Sequence, residues 1–198
     1  MKTLIATCLT LLFFYTFTSC KKENVQPAKA VTTDSKTNMN ATTRPHYIGE
    51  RYGGGVIFWL SADSLHGLIT GKYDVGMYTW GNKMYTTTGA TDTALGTGKG
   101  NTRKIISSQG KGYYAALACT KSTISGYTDW YMPSKEELLE IHNQASNLGL
   151  DLYGFYWTSS ESDSTHALMV FFDYTLHQTS IFPYDKAAVS SIRAIRSF

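Results

Sequence analysis

The distribution of aromatic residues divides the chain at Pro45 and constrains its fold more than any other feature. All 4 Trp, 13 of the 14 Tyr and 6 of the 9 Phe lie in residues 45–198. A segment with so many aromatics buries enough apolar surface to form a core. Residues 21–44 contain no aromatic, Leu, Ile or Gly and lack that capacity. We therefore predict a single folded domain at 45–198, preceded by a flexible tether.

The first twenty residues indicate export from the cytoplasm. Leu4–Phe17 is an uncharged run of 14 residues behind a basic start. It is shorter than the roughly 20 apolar residues of a membrane span and is typical of a signal peptide. The run ends in Ser19-Cys20, which resembles the lipobox of bacterial lipoproteins, whose cysteine is acylated and becomes the first mature residue. We expect a signal peptide at 1–19, a lipidated Cys20 with its tether at 20–44, and anchoring in the cell envelope, at the outer membrane.

Patterns within the domain predict an α+β fold with a hairpin first, helices in the middle and strands last. The apolar run Val56–Leu60 and the returning His66–Thr70 predict a hairpin. Ser134, with Glu137 three residues later, is a capping box that starts a helix ending at Gly149. The other predicted elements are a long loop at 71–100, two helical stretches between Asn101 and Thr120 that break near Gly110–Gly112, with Asn101 as a cap, and strands at 155–159, 165–172, 177–182 and 190–198. We also predict that the first and last strands pair.

Charge and motif spacing exclude several classes of function. The chain has 18 basic and 15 acidic residues and no dense basic cluster, which argues against nucleic-acid binding. Gly96–Asn101 lacks the spacing of a Walker loop, and no strand precedes it. The five histidines show no zinc-ligand spacing. Cys119 is the one cysteine of the domain and lies in an Ala/Leu-rich stretch, so we expect a buried residue, no disulfide and no cysteine nucleophile. We assign no catalytic residue and no cofactor.

Three aromatic residues of the long predicted loop are candidate ligand contacts. Tyr78, Trp80 and Tyr85 lie in residues 71–100, which show no sustained hydrophobic period. Their ring faces suit stacking on sugars, whereas most aromatics in a domain cover the core instead. If this loop lies opposite the chain termini, it faces away from the membrane. We predict that a ligand contacts this face, led by Trp80, with burial of Trp80 in the core as the alternative.

Carboxylates of a second loop supply the polar part of the same predicted site. Glu161 and Asp163 are acceptors for sugar hydroxyl groups. Together with Asp173 they are also a candidate calcium site, since Ca²⁺ takes carboxylate oxygens. The commoner alternative is that these are solvated carboxylates of a turn.

One segment of the sequence has a specific counterpart in a known family. Gly126–Ser134, followed by Glu136-Glu137-Leu138, resembles the signature of a family of unknown function that includes the C-terminal domain of the Legionella collagen-like adhesin. Further matches are Gly54–Phe58, His66–Ile69, Gly96–Gly98 with Asn101-Thr102, Tyr156–Glu161 and Ile192–Phe198. The resemblance implies a single C-type-lectin-like domain with two main helices, antiparallel strands and long loops. It also implies a distant similarity to formylglycine-generating enzymes. Those enzymes use a pair of cysteines that this chain lacks.

The function predicted from these features is that of a lipid-anchored binding module of the cell envelope, similar to adhesins, that recognises glycans or glycosaminoglycan-like polymers. One alternative is an envelope enzyme that acts on protein or polysaccharide. Another is a structural subunit of a surface assembly, which a large exposed apolar patch would favour. Independently of function, we predict that Trp130 and Trp157 are buried in the core.

Overall fold

A computed structural model describes residues 44–83, 85–173 and 178–198 of the protein. In these residues the fold is α+β, as predicted, with four α-helices, one 3₁₀ helix and two β-sheets. The predicted signal peptide, Cys20 and all of the tether except Arg44 lie outside the described residues. Within them, no helix combines the length and apolar character needed to cross a bilayer.

Strands occupy both ends of the domain's sequence, and the helices lie between them. The strands are β1 Arg51–Tyr52, β2 Gly55–Leu60, β3 Gly67–Thr70, β4 Gly76–Thr79, β5 Gly154–Glu161, β6 His166–Asp173, β7 Gln178–Asp185, β8 Val189–Ile192 and β9 Ile195–Ser197. The helices are α1 Gly98–Gln109, α2 Ala115–Lys121, the 3₁₀ turn Ile124–Gly126, α3 Lys135–Asn143 and α4 Ala145–Leu148. The prediction of two main helices missed α4 as a separate element and counted α1 and α2 as stretches of one region.

Two sheets organise the domain. The first has the order β1-β2-β3-β9 and the second the order β4-β8-β5-β6-β7, in which β5 and β8 are parallel. The predicted hairpin is confirmed as β2 and β3, with Val56 opposite Thr70. The last strand, β9, pairs with β3, with Ile69 opposite Arg196. It does not pair with the first strand, because β2 and β3 lie between β1 and β9 in the sheet. The predicted loop at 71–100 also contains β4, which pairs with β8.

The C-terminal segment, predicted as one strand at 190–198, forms two strands in different sheets. The chain leaves β8 after Ile192 and enters β9 at Ile195. Arg193 and Ala194 make the crossing, and both are buried. A buried segment of two residues therefore connects the two sheets and places its arginine side chain inside the molecule.

The glycine-rich segment at residues 96–100 contains the beginning of α1. Thr97 is the residue before the helix, whereas Asn101, predicted as the cap, is buried in its second turn. A Cβ atom at Gly98 would lie 2.7 Å from the carbonyl oxygen of Met132 and 2.8 Å from the backbone nitrogen of Ser134, so only glycine fits there. The predicted break between α1 and α2 is confirmed, since Gly110 ends α1 with a φ of 70°.

The predicted capping box of α3 is confirmed. The backbone N–H of Glu137 donates to Oγ of Ser134 over 3.3 Å, and the N–H of Ser134 donates to the Glu137 carboxylate over 2.7 Å. The helix ends earlier than predicted, because Gln144 leaves helical geometry with φ −93° and ψ 0°. The short α4 then ends at Gly149 in the left-handed conformation, as expected of a C-terminal glycine.

Two apolar clusters form the core against the sheets. The first contains Trp80, Trp130 and Trp157, and the second is built around Phe58 and Phe172. Trp130 and Trp157 are 1% and 0% exposed, which confirms the prediction that both are buried.

Candidate functional site

A concave feature of the described surface is a groove beside the four-stranded sheet. Its volume is about 770 Å³, and its walls are residues 51–56, 72–75 and 122–125. Tyr52 and Tyr73 line it with exposed fractions of 43% and 72%. Exposed aromatic rings in a concave surface are the usual contacts for sugars and other flat ligands.

Arg193 holds one wall of the groove in place. Its guanidinium Nη1 donates to the carbonyl oxygens of Gly71 at 3.0 Å and Lys72 at 2.9 Å. Nη2 forms an ion pair of 2.7 Å with Oδ1 of Asp74, and the hydroxyl of Tyr156 donates to the other carboxylate oxygen over 3.0 Å. The loop that carries Tyr73 is therefore fixed at both sides of its tip, and the charge of Asp74 is balanced.

Arg196 holds the opposite wall. Its Nη1 donates to the carbonyl of Gly53 at 2.9 Å, while Nε and Nη2 bind both carboxylate oxygens of Asp129 at 2.7 and 3.0 Å. The guanidinium carbon lies 4.1 Å from the centre of the Tyr127 ring. This hydrogen bonding by Arg196 lowers the pKa of Asp129 below its ordinary value. A Cβ atom at Gly54 would lie 2.7 Å from the Tyr127 ring, so this wall needs glycine to pack so closely.

Several of the sequence segments that carried the family resemblance meet at this groove. Gly54–Phe58 supplies one wall, and Gly126–Ser134 supplies Tyr127 and Asp129, which hold Arg196. The C-terminal Ile192–Phe198 supplies both arginines. The groove was not predicted from the sequence, because its walls come from three separate segments, of which the first and the last hold Gly54 and Ser125, 71 residues apart in the chain.

Two smaller depressions continue the groove along α2. The nearer one, of about 290 Å³, shares Val75 and Ser122 with the large groove. The farther one, of about 590 Å³, shares Tyr113 and Lys121 with the nearer one. Tyr113 is 90% exposed. The three depressions are therefore neighbours on the surface, with exposed tyrosines in the first and the last, and together we call them the path.

The charges along this path are mainly positive. Arg51 and Lys72 line the large groove, and Lys121 lines both smaller depressions. All three are exposed. Among the described residues of the large groove, Asp74 is the one carboxylate, and it is paired with Arg193. The path therefore favours an anionic ligand over a cationic one.

The three predicted aromatic contacts have different environments. Trp80 is 0% exposed, and its Nε1 donates to the carbonyl of Thr158 over 2.8 Å, so the prediction of a leading surface contact is wrong. The indole can be buried because the core supplies a hydrogen-bond acceptor for Nε1, which is its only polar atom. Tyr85 is 76% exposed but does not line the groove. Tyr78 is partly buried and lines the nearer small depression.

The two predicted carboxylates are also structural. Glu161 is 4% exposed and accepts hydrogen bonds from the N–H groups of Thr88 and Gly89 and from the ammonium of Lys186. Asp163 is exposed and accepts from the N–H and hydroxyl of Thr165, which lowers its pKa well below the ordinary value. These contacts account for the positions of both carboxylates without a sugar ligand. Lys186 was not predicted from the sequence, because no motif marks it.

The candidate calcium site is not assembled. Glu161 is opposite Ala167 at one end of β6, whereas Asp173 is at the other end. Six residues of strand separate them by about 20 Å. Within residues 44–83, 85–173 and 178–198, no group of three or more His, Cys, Asp and Glu side chains has the arrangement to hold a metal ion.

Cys119 is buried at 0% exposure, which confirms its predicted place in the core. Its thiol is directed at the carbonyl of Arg193 at 4.0 Å. Burial raises the pKa of this thiol far above its ordinary value. A thiol that resists ionisation in this way is a poor nucleophile.

Comparison with known proteins gives one informative result. No family model and no curated protein matches the sequence. The crystal structure of a fimbrial protein from Bacteroides ovatus is similar to this chain, with a TM-score of 0.54 and 13% sequence identity. The likeness covers 71% of this chain and 43% of that protein, so the chain spans less than half of that protein's length. At this identity the likeness shows a shared fold. Membership of the family with the adhesin domain and a C-type-lectin-like fold stay predictions.

Proposed function

We propose that this protein is a lipid-anchored, non-enzymatic binding module of the bacterial cell envelope and that its groove holds an extended acidic polysaccharide. The observation that carries the proposal is a groove with exposed Tyr52 and Tyr73 between walls that Arg193 and Arg196 hold in place. A site fixed before the ligand arrives loses less entropy on binding.

The chemistry of the path supports a sugar polymer. Its tyrosines, Tyr52, Tyr73 and Tyr113, offer ring faces for pyranose units. Arg51 and Lys72 beside them suit carboxylate or sulfate groups. The continuation along α2 suits a chain of several sugars better than a single small molecule.

The location at the envelope rests on the N-terminal segment. Its uncharged run and Cys20 support export and acylation. The similarity to a fimbrial protein is consistent with a place on the cell surface. Anchoring at the outer membrane would present the groove to extracellular polymers.

A glycan array with the Cys20→Ala chain tests the proposed activity. We expect binding to glycans with uronic acid or sulfate groups and not to their neutral counterparts. Tyr73→Ala should weaken binding by about twofold to tenfold, since an aromatic contact contributes about 0.5–1.5 kcal/mol. Tyr153→Ala is the matched control, because Tyr153 is 64% exposed and does not line the groove. Equal loss in both variants, or no acidic glycan bound, would refute the proposal.

A structural subunit of a surface assembly is a second candidate, which one observation favours. Phe155 of β5 forms a partly exposed aromatic cluster with Phe182 and Tyr184 of the edge strand β7. The ring centre of Phe182 lies 6.3 Å from that of Phe155 and 5.9 Å from that of Tyr184. Phe155 and Tyr184 are 50% and 47% exposed. If this cluster joins subunits, Tyr184→Ser should abolish self-association in sedimentation experiments and Tyr73→Ala should not.

A further inference from the structure

Lys186 has an unusual position for a lysine. It follows β7 and is 2% exposed, although lysines are almost never fully buried without a partner. Its Nζ has four oxygen neighbours: Oε1 of Glu161 at 2.6 Å and the carbonyl oxygens of Asp163 at 2.7 Å, Ser164 at 3.1 Å and Thr86 at 3.2 Å. The face of the Trp80 ring lies 4.7 Å from the same atom.

These neighbours outnumber the hydrogens that the ammonium group can donate. An ammonium has three N–H bonds, whereas four oxygens and one aromatic face surround it. Such a shell is arranged around a positive point charge, as it would be around a metal ion. Carbonyl oxygens that replace a hydration shell in this way are the usual ligands of K⁺.

The oxygens come from separate segments, which the ammonium connects. Thr86 belongs to the loop before α1, Glu161 ends β5, and Asp163 and Ser164 form the turn before β6. Glu161 also accepts hydrogen bonds of 2.8 Å from the N–H groups of Thr88 and Gly89. The position of this loop over the second sheet therefore depends on a cation at this point.

We infer that these oxygens form a site for a monovalent cation and that the chain fills it with its own lysine ammonium. Glu161 is the one carboxylate among the ligands of Nζ, so a single positive charge balances the site. The distances of 2.6 to 3.2 Å are those of charge-assisted and ordinary hydrogen bonds from nitrogen to oxygen, so the oxygens are spaced to suit an ammonium. The inference goes beyond the proposed function, because none of these residues lines the groove.

Since the cation is covalently attached, the order of the loop at 86–89 does not depend on free metal ions. Chelators and added calcium should leave the wild-type unfolding temperature unchanged. Removal of the lysine side chain should instead create a protein whose stability depends on a small free cation.

Lys186→Ala, made in the full mature chain with Cys20→Ala, tests this directly. Thermal unfolding is measured in ethylammonium, potassium and tetramethylammonium chloride at one ionic strength. Ethylammonium and potassium should raise the unfolding temperature of the variant in a saturable way, by about 3 °C or more at ten times the dissociation constant. Tetramethylammonium is too large for the site and should not. The wild type should respond equally to all three salts.

Two further variants control the experiment. Lys104→Ala removes a lysine whose Nζ lies 2.9 Å from Asp92 at the surface, and it should show no preference among the salts. Glu161→Gln added to Lys186→Ala should abolish the preference, since the site then has no negative charge. An identical response of Lys186→Ala to all three salts would overturn the inference.

A measurement on the wild type covers the case in which Lys186→Ala fails to fold. Nitrogen-15 NMR at neutral pH should show one protonated lysine ammonium in slow exchange with water, and Lys186→Arg should remove that signal. The signal should be the same with calcium or with a chelator. A neutral amine at Lys186, or a signal that appears only with added metal, would contradict the inference.

Discussion

Replacement of Arg193 by methionine tests how the groove wall is held. Arg193 is 3% exposed, and its guanidinium binds two backbone carbonyls and the carboxylate of Asp74. Methionine fills a similar volume without any of these contacts. The carbonyls of Gly71 and Lys72 lose a charged donor, and loss of one partner from a buried pair costs about 3–5 kcal/mol. The Asp74 side chain is 32% exposed and regains water, so we expect about 3 kcal/mol of lost stability.

Urea unfolding measures this loss. Arg193→Met should unfold at a lower midpoint with an unchanged slope. Arg193→Lys should lose less, because it keeps the charge but not the planar fork that reaches three acceptors. Arg103→Met, at an exposed position of α1, should change stability by less than about 0.5 kcal/mol. A loss below about 1 kcal/mol in Arg193→Met would refute the claim that this arginine holds the wall.

Four further outcomes are expected. Cys20→Ala should release the protein from the membrane fraction, and continued membrane association after signal cleavage would contradict acylation. Trp130→Ala should lower the free energy of unfolding by about 3–5 kcal/mol in a denaturant titration, since the indole is buried. Cys119 should react with a thiol reagent only on unfolding, and rapid labelling of the native protein would contradict its burial. Burial lowers the pKa of His142, which stacks on Phe172 at 4.3 Å; stability should therefore fall as the pH drops below about 6.5, and H142F should reduce that fall.

Features with a local cause were predictable from the sequence. The capping box of Ser134 and Glu137 depends on residues three apart, and the structure confirms it. The hairpin of β2 and β3 follows from two apolar runs and a short turn. Trp130 and Trp157 lie in or beside strongly patterned segments, and both are buried as expected.

Features that depend on distant contacts were not predictable. Trp80 lies in an irregular segment, and the carbonyl that holds its indole belongs to Thr158, 78 residues later. Lys186 carries no sequence signal, because the oxygens around it belong to loops up to 100 residues away. The groove could not be predicted without the topology of the two sheets. Arg193 lies where the chain crosses from one sheet to the other, and only this crossing brings its side chain to the carbonyl of Gly71.

The location of the ligand tests the account most directly. An acidic oligosaccharide that binds on the array is titrated into the isotopically labelled chain, and amide signals are followed by NMR. The account predicts shifts at residues 51–55, 72–75 and 122–125, with continuation toward Tyr113 for longer oligosaccharides. The same titration of Tyr73→Ala should give smaller shifts at equal ligand concentration. Shifts centred on Tyr85 and Asp163, with the groove unchanged, would contradict it.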